Sequence, residues 1–530
     1  MIGWRGGLVI TLAALAALVV GNPAVWASEP GKLEQEGPCT GALSAGTLEE
    51  LETSVRAEMD SALVPGLAYV VVQGDQVVYA KGFGVRKLGS GDAVDTHTVF
   101  EIGSASKAFT ATMLAMVVEE GKLAWDDRVV DHLPQFRMQD PWVTHEFRVA
   151  DLVCQRSGMP PYSLDGMSYL GFGRADIIRA LHFVEPVTSF RSAFAYQNNL
   201  WLVAAALIEQ KSGLTWEDNL DRRIFGPLGM VESTTSPEVL AGLPNVATGH
   251  FLVSETELQP IPPDWPYRHW IDTYGPAGSI RSTVIDLAQW LRLQINLGVV
   301  GQSRLLGAAS VAYLHAPKTL VVVRGGTPNP TIGGDVMSYA SGWVFQTSHR
   351  HPIVWHNGGT TGMHSIVGYI PEAQMGLAML TNEPSNLVPE HALFKLADLV
   401  LGQPAGTTSV AGHALDMTAP RFVRRHVVSM GPPLSLERYV GTFVNPAYGP
   451  FEVRLSEGRL ELVFGPLQHV GVLQPYSGNT FLMEWPAWPG MVSVVTFTVP
   501  AGQPAEKLTA SWFEDVRSGE FVRVPSSSTP

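Results

Sequence analysis

The chain has 530 residues, 45% hydrophobic and 16% charged, an ordinary globular composition with ample apolar material for a core. Its net charge of -14 gives no general attraction for phosphate backbones or anionic lipid, which argues against nucleic-acid binding. The 53 glycines and 38 prolines imply many turns, and the length suits one large domain joined to a smaller one.

Taken in chain order, residues 1–27 read as a cleaved signal peptide. Arg5 supplies the positive start, residues 8–20 are an apolar run too short for a membrane span, and Gly21-Asn22-Pro23 breaks it. Val25-Trp26-Ala27 then offers a cleavage site, which predicts a secreted or periplasmic location with no stable membrane anchor. Residues 28–46 form a leader rich in Gly, Pro, Glu and Ser. A helix is predicted over about 47–61, and two apolar runs, 67–72 and 76–85, separated by Gly74-Asp75, predict a β-hairpin. Phe109, Met113, Leu114 and Val117 recur at helical spacing between Ser104 and Glu120. Further helices are expected over 199–211 and from Thr283 to Leu293, the latter opened by a Thr-x-x-Asp cap. Strands follow at 342–347, 353–356, 364–370 and 374–381, and a helix near 389–401 closes the unit.

Strands at both ends of a largely helical middle predict an α+β domain over 47–402, with the terminal strands joined in one sheet. Residues 403–433 read as a linker. Beyond it, Phe451, Val453 and Leu455 alternate with Glu452 and Arg454, and the pattern resumes at Leu460, Leu462 and Phe464 after Ser456-Glu457-Gly458. This predicts a small antiparallel β-barrel over 434–526. The two cysteines, Cys39 and Cys154, can pair in an oxidising compartment; a buried unpaired Cys154 is the alternative.

Three motifs carry chemistry. In Ser104-Ala105-Ser106-Lys107 the serine and lysine share one helix face, so an amine held neutral by burial can take the serine proton. Gly103 permits a tight turn that puts the hydroxyl at a helix N-terminus, where developing negative charge is favoured. Tyr196-Gln197-Asn198 offers a proton relay and an amide that both donates and accepts; taken alone it also reads as a core tyrosine before an N-capping asparagine. His356-Asn357-Gly358-Gly359 ends an apolar strand with glycines that let a substrate backbone lie close, and His356 can bond a carboxylate or assist proton movement. His469-Val470-Gly471 repeats the last pattern in the tail, away from the other motifs, and reads as structural. His349, His351, His356 and His364 lie on or beside strands without supporting cysteine or carboxylate ligands, so no metal site is expected.

The order S-x-x-K, Y-x-N, H-x-G resembles the serine β-lactamase and penicillin-binding-protein superfamily, in particular class C β-lactamases and their peptidase and esterase relatives. Phe100-Glu101-Ile102-Gly103-Ser104, Ser157-Gly158-Met159-Pro160, the run Ile-Phe-Gly-Pro-Leu-Gly-Met over 224–230 and Leu380-Thr381-Asn382 extend the likeness across about 47–402. The tail resembles the lipocalin-like β-domain that often follows such a domain. The resemblance implies a β-lactamase/transpeptidase-like antiparallel sheet with helices on both faces and a helical subdomain. It implies that Ser104 is the nucleophile, that Lys107 and Tyr196 share proton transfer with either as base, and that Asn198 holds the substrate amide. The Ser104 and Gly359 N–H groups would form the oxyanion hole, with Gly358 and His356 lining the substrate strand and no cofactor or metal required.

His356 stands where β-lactamases carry lysine, which points away from efficient penicillin hydrolysis, because histidine is mostly neutral at neutral pH. Gln155-Arg156 also departs from the family pattern. The leading reading is hydrolysis of D-amino-acid peptides, small esters or β-lactams, in that order, by a chain free to form homo-oligomers. The alternatives are a penicillin-binding sensor acylated with little turnover, and a tail that covers the cleft as substrate filter or oligomer contact.

Overall fold

A hairpin seeds the central sheet. Gly66–Gln73 and Gln76–Gly84 pair antiparallel across Gly74 and Asp75, and Gly74 takes the left-handed conformation (φ 56°) that the two-residue turn requires. The computed structural model describes residues 43–254, 256–321, 336–348, 351–403, 434–488 and 491–525. The signal-peptide assignment, the leader through residue 42, Cys39, His349 and the linker over 404–433 lie outside the described residues. Within Ala42–Pro530 the chain forms one compact unit.

The sheet has eight strands in the order Gln76–Gly84, Gly66–Gln73, Met375–Thr381, His364–Ile370, His351–Gly359, Val344–Ser348, Met337–Tyr339 and Thr319–Leu320. The first hairpin therefore joins strands more than 290 residues later, as Leu67 pairs with Thr381. Strands Met375–Thr381 and His364–Ile370 are buried along their whole length, which requires cover on both faces. Two glycines make room for it. A Cβ on Gly368 would meet Leu393 of the helix Val388–Val400, and one on Gly376, on the opposite face, would meet Leu291 and Ile295 of the helix Val284–Ile295. Thr283 caps the latter helix, its hydroxyl accepting the Asp286 N–H at 3.2 Å.

The helix expected from Ser104 begins two residues later. Gly103–Ala105 form a 3₁₀ turn, Gly103 has φ 51°, and the α-helix runs Ser106–Glu119. Every residue from Ser106 to Val117 is buried. Phe109 stacks on Trp290 with ring centroids 3.7 Å apart, which locks this helix to the one that covers the sheet. On its other side packs Asn199–Ser212, ended by Gly213 at φ 73°. The intervening helices and 3₁₀ turns between 129 and 228 make up the helical part of the domain.

The tail is a closed barrel of eight antiparallel strands between Gly441 and Arg523. Phe451 and Val453 are buried while Glu452 and Arg454 are exposed, so the alternation read in the sequence is the inside–outside alternation of the barrel wall as far as Arg454; Leu455, next to the turn at Glu457-Gly458, is exposed. The barrel rests on the segment 164–171: Leu467 N–H donates to Leu170 O at 3.2 Å, and Tyr169 stacks on Trp270 at 4.8 Å and meets Trp488 at a tilt with centroids 4.9 Å apart.

Replacing Trp290 by alanine removes the stacking surface of Phe109 and leaves a cavity beneath the Ser106–Glu119 helix. A loss of about 3–5 kcal/mol is expected. Thermal melts of wild type and Trp290→Ala measure it; equal midpoints would refute the packing argument.

Candidate active site

The fold brings Ser104, Lys107, Tyr196, Asn198, His356, Gly358 and Gly359 together from four separate elements: the 3₁₀ turn, the helix after it, the start of the helix Asn199–Ser212, and the end of the strand His351–Gly359. Lys107 is fully buried, and its Nζ lies 2.9 Å from Ser104 Oγ, 2.7 Å from Asn198 Oδ1 and 3.0 Å from Ala277 O. Two of these partners, both carbonyl oxygens, only accept. A neutral amine satisfies all three by donating its two hydrogens to the carbonyls and accepting the Ser104 hydroxyl proton on its lone pair. Burial acts in the same direction: it pushes Lys107 well below the usual lysine range, opposed by the charge of Asp165.

Asn198 does not cap its helix. Its side chain makes no capping bond; Oδ1 faces Lys107 and Nδ2 donates to Asp165 Oδ2 at 2.7 Å. Asp165 thus sets which end of the amide meets the lysine. Burial raises the Asp165 carboxyl to about 7, against the opposing effects of the Asn198 hydrogen bond and Lys107. The Tyr196 hydroxyl is buried beside Ser104 and makes no hydrogen bond of ordinary geometry. Burial drives its pKa well above the usual tyrosine value, so it is protonated at neutral pH. Lys107 Nζ sits 4.8 Å from the centroid of its ring.

Gln155, the departure noted in the sequence, has a positional explanation. Its side-chain amide accepts Gln197 N–H at 2.7 Å and donates to Gln197 O at 3.0 Å, gripping the backbone between Tyr196 and Asn198. Gln155 itself sits at φ 57°.

Gly358 of the third motif and Gly103 before the nucleophile are sterically required. A Cβ on Gly358 would lie 1.9 Å from Ile102 O and 2.8 Å from Ser104 N, and one on Gly103 would lie 2.8 Å from Gly359 N. The strand end and the nucleophile turn therefore touch backbone to backbone. His356 is buried with both ring nitrogens engaged, Nδ1 with Asn357 O at 2.6 Å and Nε2 with the Tyr339 hydroxyl at 3.0 Å. A carbonyl only accepts, so Nδ1 carries the hydrogen and Nε2 accepts from Tyr339. Burial, reinforced by Lys107, lowers His356 to about 3, so the ring is neutral. Behind the strand end, Glu390 accepts from Asn357 Nδ2 and pairs with His364 Nε2, both at 2.8 Å; His364 is the residue opposite Gly359 in the sheet. His351 pairs with Glu372 at 2.5 Å, away from these groups.

Asp165, Ala277, Tyr339 and the His364–Glu390 pair were not identified from sequence. Nothing in their local sequence marks them: their parts depend on contacts across as many as 170 residues. His469 was read as remote from the other motifs, yet its Nε2 lies 3.0 Å from Tyr169 O, four residues beyond Asp165.

A buried lysine bonded to a serine at the start of a helix, beside a glycine-edged sheet strand, defines a serine hydrolase of penicillin-binding-protein type. The chain belongs to the Beta-lactamase family, whose model matches residues 51–401; residues 425–518 match a domain of unknown function, DUF3471. It is 27% identical over 435 residues to an unguisins hydrolase of Aspergillus violaceofuscus, covering 75% of each chain. It is 30% identical over 327 residues to penicillin-binding protein 4 of Amycolatopsis lactamdurans, covering 60% of this chain and 81% of that one. Among solved structures, the octameric penicillin-binding protein homologue from Pyrococcus abyssi superposes with a TM-score of 0.58 at 22% identity, over 90% of this chain and all of that one.

Replacing Gly358 by alanine forces the strand end away from Ile102 O and Ser104 N. Turnover is expected to fall by about 10²-fold or more, as when an oxyanion donor is lost. Steady-state kinetics on a chromogenic ester, with circular dichroism to establish folding, measure this; a folded variant with wild-type turnover would contradict the steric reading.

Proposed function

We propose that the protein hydrolyses uncharged ester and amide bonds through a Ser104 acyl-enzyme, with Lys107 as the general base. The observation that carries this reading is the Lys107 amine, buried between two carbonyl acceptors and the Ser104 hydroxyl. As Ser104 Oγ attacks the substrate carbonyl carbon, its proton passes to Lys107 Nζ. The carbonyl oxygen becomes an oxyanion facing the Ser104 and Gly359 amides. The carbon–leaving-group bond then breaks. Its electron pair takes the proton that Lys107 returns through the Tyr196 hydroxyl, and an ester on Ser104 remains. Water attacks that ester with Lys107 again accepting its proton; the bond to Ser104 Oγ breaks, and Ser104 takes that proton back from Lys107 as the product acid departs. Tyr196 serves as relay and not as base, because its phenol stays protonated.

His356 supports the substrate preference. A carboxylate-bearing substrate such as a penicillin needs a cation at the strand, and a neutral ring with both nitrogens bonded supplies none. Small neutral esters and amides, including D-aminoacyl amides and cyclic or blocked peptides, suit such a site better. The relatives include a hydrolase named for unguisins, which accords with a hydrolytic role here. Secretion after removal of residues 1–27 remains part of this reading; among the described residues no helix is long and apolar enough to cross a membrane.

Intact-mass analysis after exposure to a fluorophosphonate tests the nucleophile. One adduct on wild type and none on Ser104→Ala is expected; adducts on both, or on neither, would sink the assignment. Turnover of D-aminoacyl amides, p-nitrophenyl esters and a chromogenic cephalosporin then ranks substrates, with the cephalosporin expected last. Because His356 titrates near 3, its replacement by glutamine is expected to leave every inflection of kcat/KM between about pH 5 and about pH 8 in place. An inflection that disappears in His356→Gln would show that the ring takes up a proton in that range.

A further inference from the structure

We infer that Asp515, a carboxylate of the C-terminal barrel, is a positioning residue of the hydrolase: through Leu164 it sets Asp165 against Asn198 and so aims the amide that orients Lys107. The inference rests on the proposed role of Lys107.

The segment 160–165 is stitched to the Tyr196 motif. Tyr162 N–H donates to Tyr196 O at 2.8 Å, Asn199 Nδ2 donates to Ser163 O at 2.7 Å, Gln197 Nε2 donates to Pro160 O at 2.6 Å, and Asn198 Nδ2 donates to Asp165 Oδ2 at 2.7 Å. To make these bonds the segment adopts an unfavourable backbone. Tyr162 and Leu164 both lie in the left-handed region, at φ 60° and 65°. For a residue with a bulky side chain that conformation is unfavourable and persists only where surroundings hold it.

The holding groups at Leu164 lie on both sides of its backbone. Tyr274 Oη donates to Leu164 O at 3.0 Å, from within the catalytic domain. Leu164 N–H donates to Asp515 Oδ2, which belongs to the barrel. Asp515 is in turn held by Tyr448, whose hydroxyl reaches Oδ1 at 2.7 Å and Oδ2 at 2.9 Å. The barrel also meets the rest of this short stretch: Gly166 lies against Trp512, a Cβ there falling 3.4 Å from its indole nitrogen, and His469 reaches Tyr169 O. A chain of direct hydrogen bonds and one peptide step thus runs Tyr448, Asp515, Leu164, Asp165, Asn198, Lys107. The charge of Asp165 is also one of the two influences on the lysine's proton affinity, raising it against burial. Movement of Leu164 therefore changes both the aim of the Asn198 carbonyl and the charge felt by the base.

The test compares Asp515→Ala, Asp515→Asn and Tyr448→Phe in the full chain, with Tyr439→Phe as a barrel control whose lost hydroxyl bonds Asn479, in a turn between two barrel strands. Single-turnover acylation by a p-nitrophenyl ester is followed across pH, and thermal melts establish folding. Asp515→Ala is expected to acylate about 10- to 100-fold more slowly with KM changed less than about threefold, the size of loss an ångström-scale misplacement produces. Asp515→Asn keeps an acceptor oxygen for Leu164 N–H and is expected within about threefold of wild type, while Tyr448→Phe falls between the two. Asp165→Asn removes the charge that raises the proton affinity of Lys107, and in that variant the acid limb of kcat/KM moves to lower pH. A folded Asp515→Ala with wild-type acylation overturns the inference. If that variant fails to fold, a folded Tyr448→Phe with wild-type acylation overturns it. Equal slowing in Tyr439→Phe would likewise overturn it, by showing that general barrel destabilisation suffices. The proposed function fails separately: its failure shows as absence of a Ser104 adduct in wild type, whereas failure of the present inference leaves that adduct intact.

Discussion

An amine without a directly bonded counter-ion, sealed from water, is the condition on which the rest of the site depends. Lys107 lies fully buried, and its three partners are a hydroxyl and two carbonyls, all uncharged. A carboxylate in direct contact would hold the lysine as ammonium and leave Ser104 without a base. Asp165 is instead kept one group away, behind the Asn198 amide. The other carbonyl is secured just as firmly. Ala277 belongs to the helical turn Gly275–Gly278, whose Pro276 carbonyl accepts from Thr110 Oγ1 at 2.7 Å, and Thr110 in turn accepts from Trp216 Nε1 at 2.9 Å. The helix that carries Lys107 and the turn that presents Ala277 are thereby fixed to one another by buried hydrogen bonds, which are costly to leave unmade.

The opposite wall of the site is built from backbone, and its constraint is steric. Gly103 and Gly358 allow a strand end and a 3₁₀ turn to approach closer than side chains permit. Glu390 steadies that strand end from behind by bonding Asn357 on it and His364 on the neighbouring strand. Removing either partner would leave a buried charge unpaired, which makes this pair a structural brace. His356 completes the edge as a neutral wedge between Asn357 O and Tyr339. Read from the motif alone, His356 can meet a carboxylate; its surroundings remove that capacity, because both nitrogens are spent on the protein itself.

The barrel joins this arrangement through aromatic packing around Tyr169 and through the Asp515–Leu164 hydrogen bond. Periodicity alone disclosed that the tail is a β-barrel, since alternate burial along each strand writes itself into alternate residues. Where it sits could not be read that way. The residues that dock it, Leu467, His469, Trp488, Trp512 and Asp515, follow no repeat, and each looks like an ordinary wall or loop residue of a small β-domain.

By itself the sequence determined the elements and the chemistry-bearing motifs. Gly74-Asp75 marks the first hairpin, Thr283 a helix start, and the spacing of Ser104 and Lys107 puts both on one helix face, because hydrogen-bonding and side-chain periods are local properties. The same locality explains why the helix boundary at Ser104 was read two residues early: a 3₁₀ turn and an α-turn have nearly the same side-chain spacing. Only the tertiary structure decided what those residues experience. Whether Lys107 is neutral, whether His356 can carry charge, which end of Asn198 faces the lysine, and that Gln155 grips Gln197 all follow from burial and from partners brought in across long stretches of chain. Proton affinity and amide orientation depend on the dielectric and the donors within a few ångströms, and folding alone places those donors there.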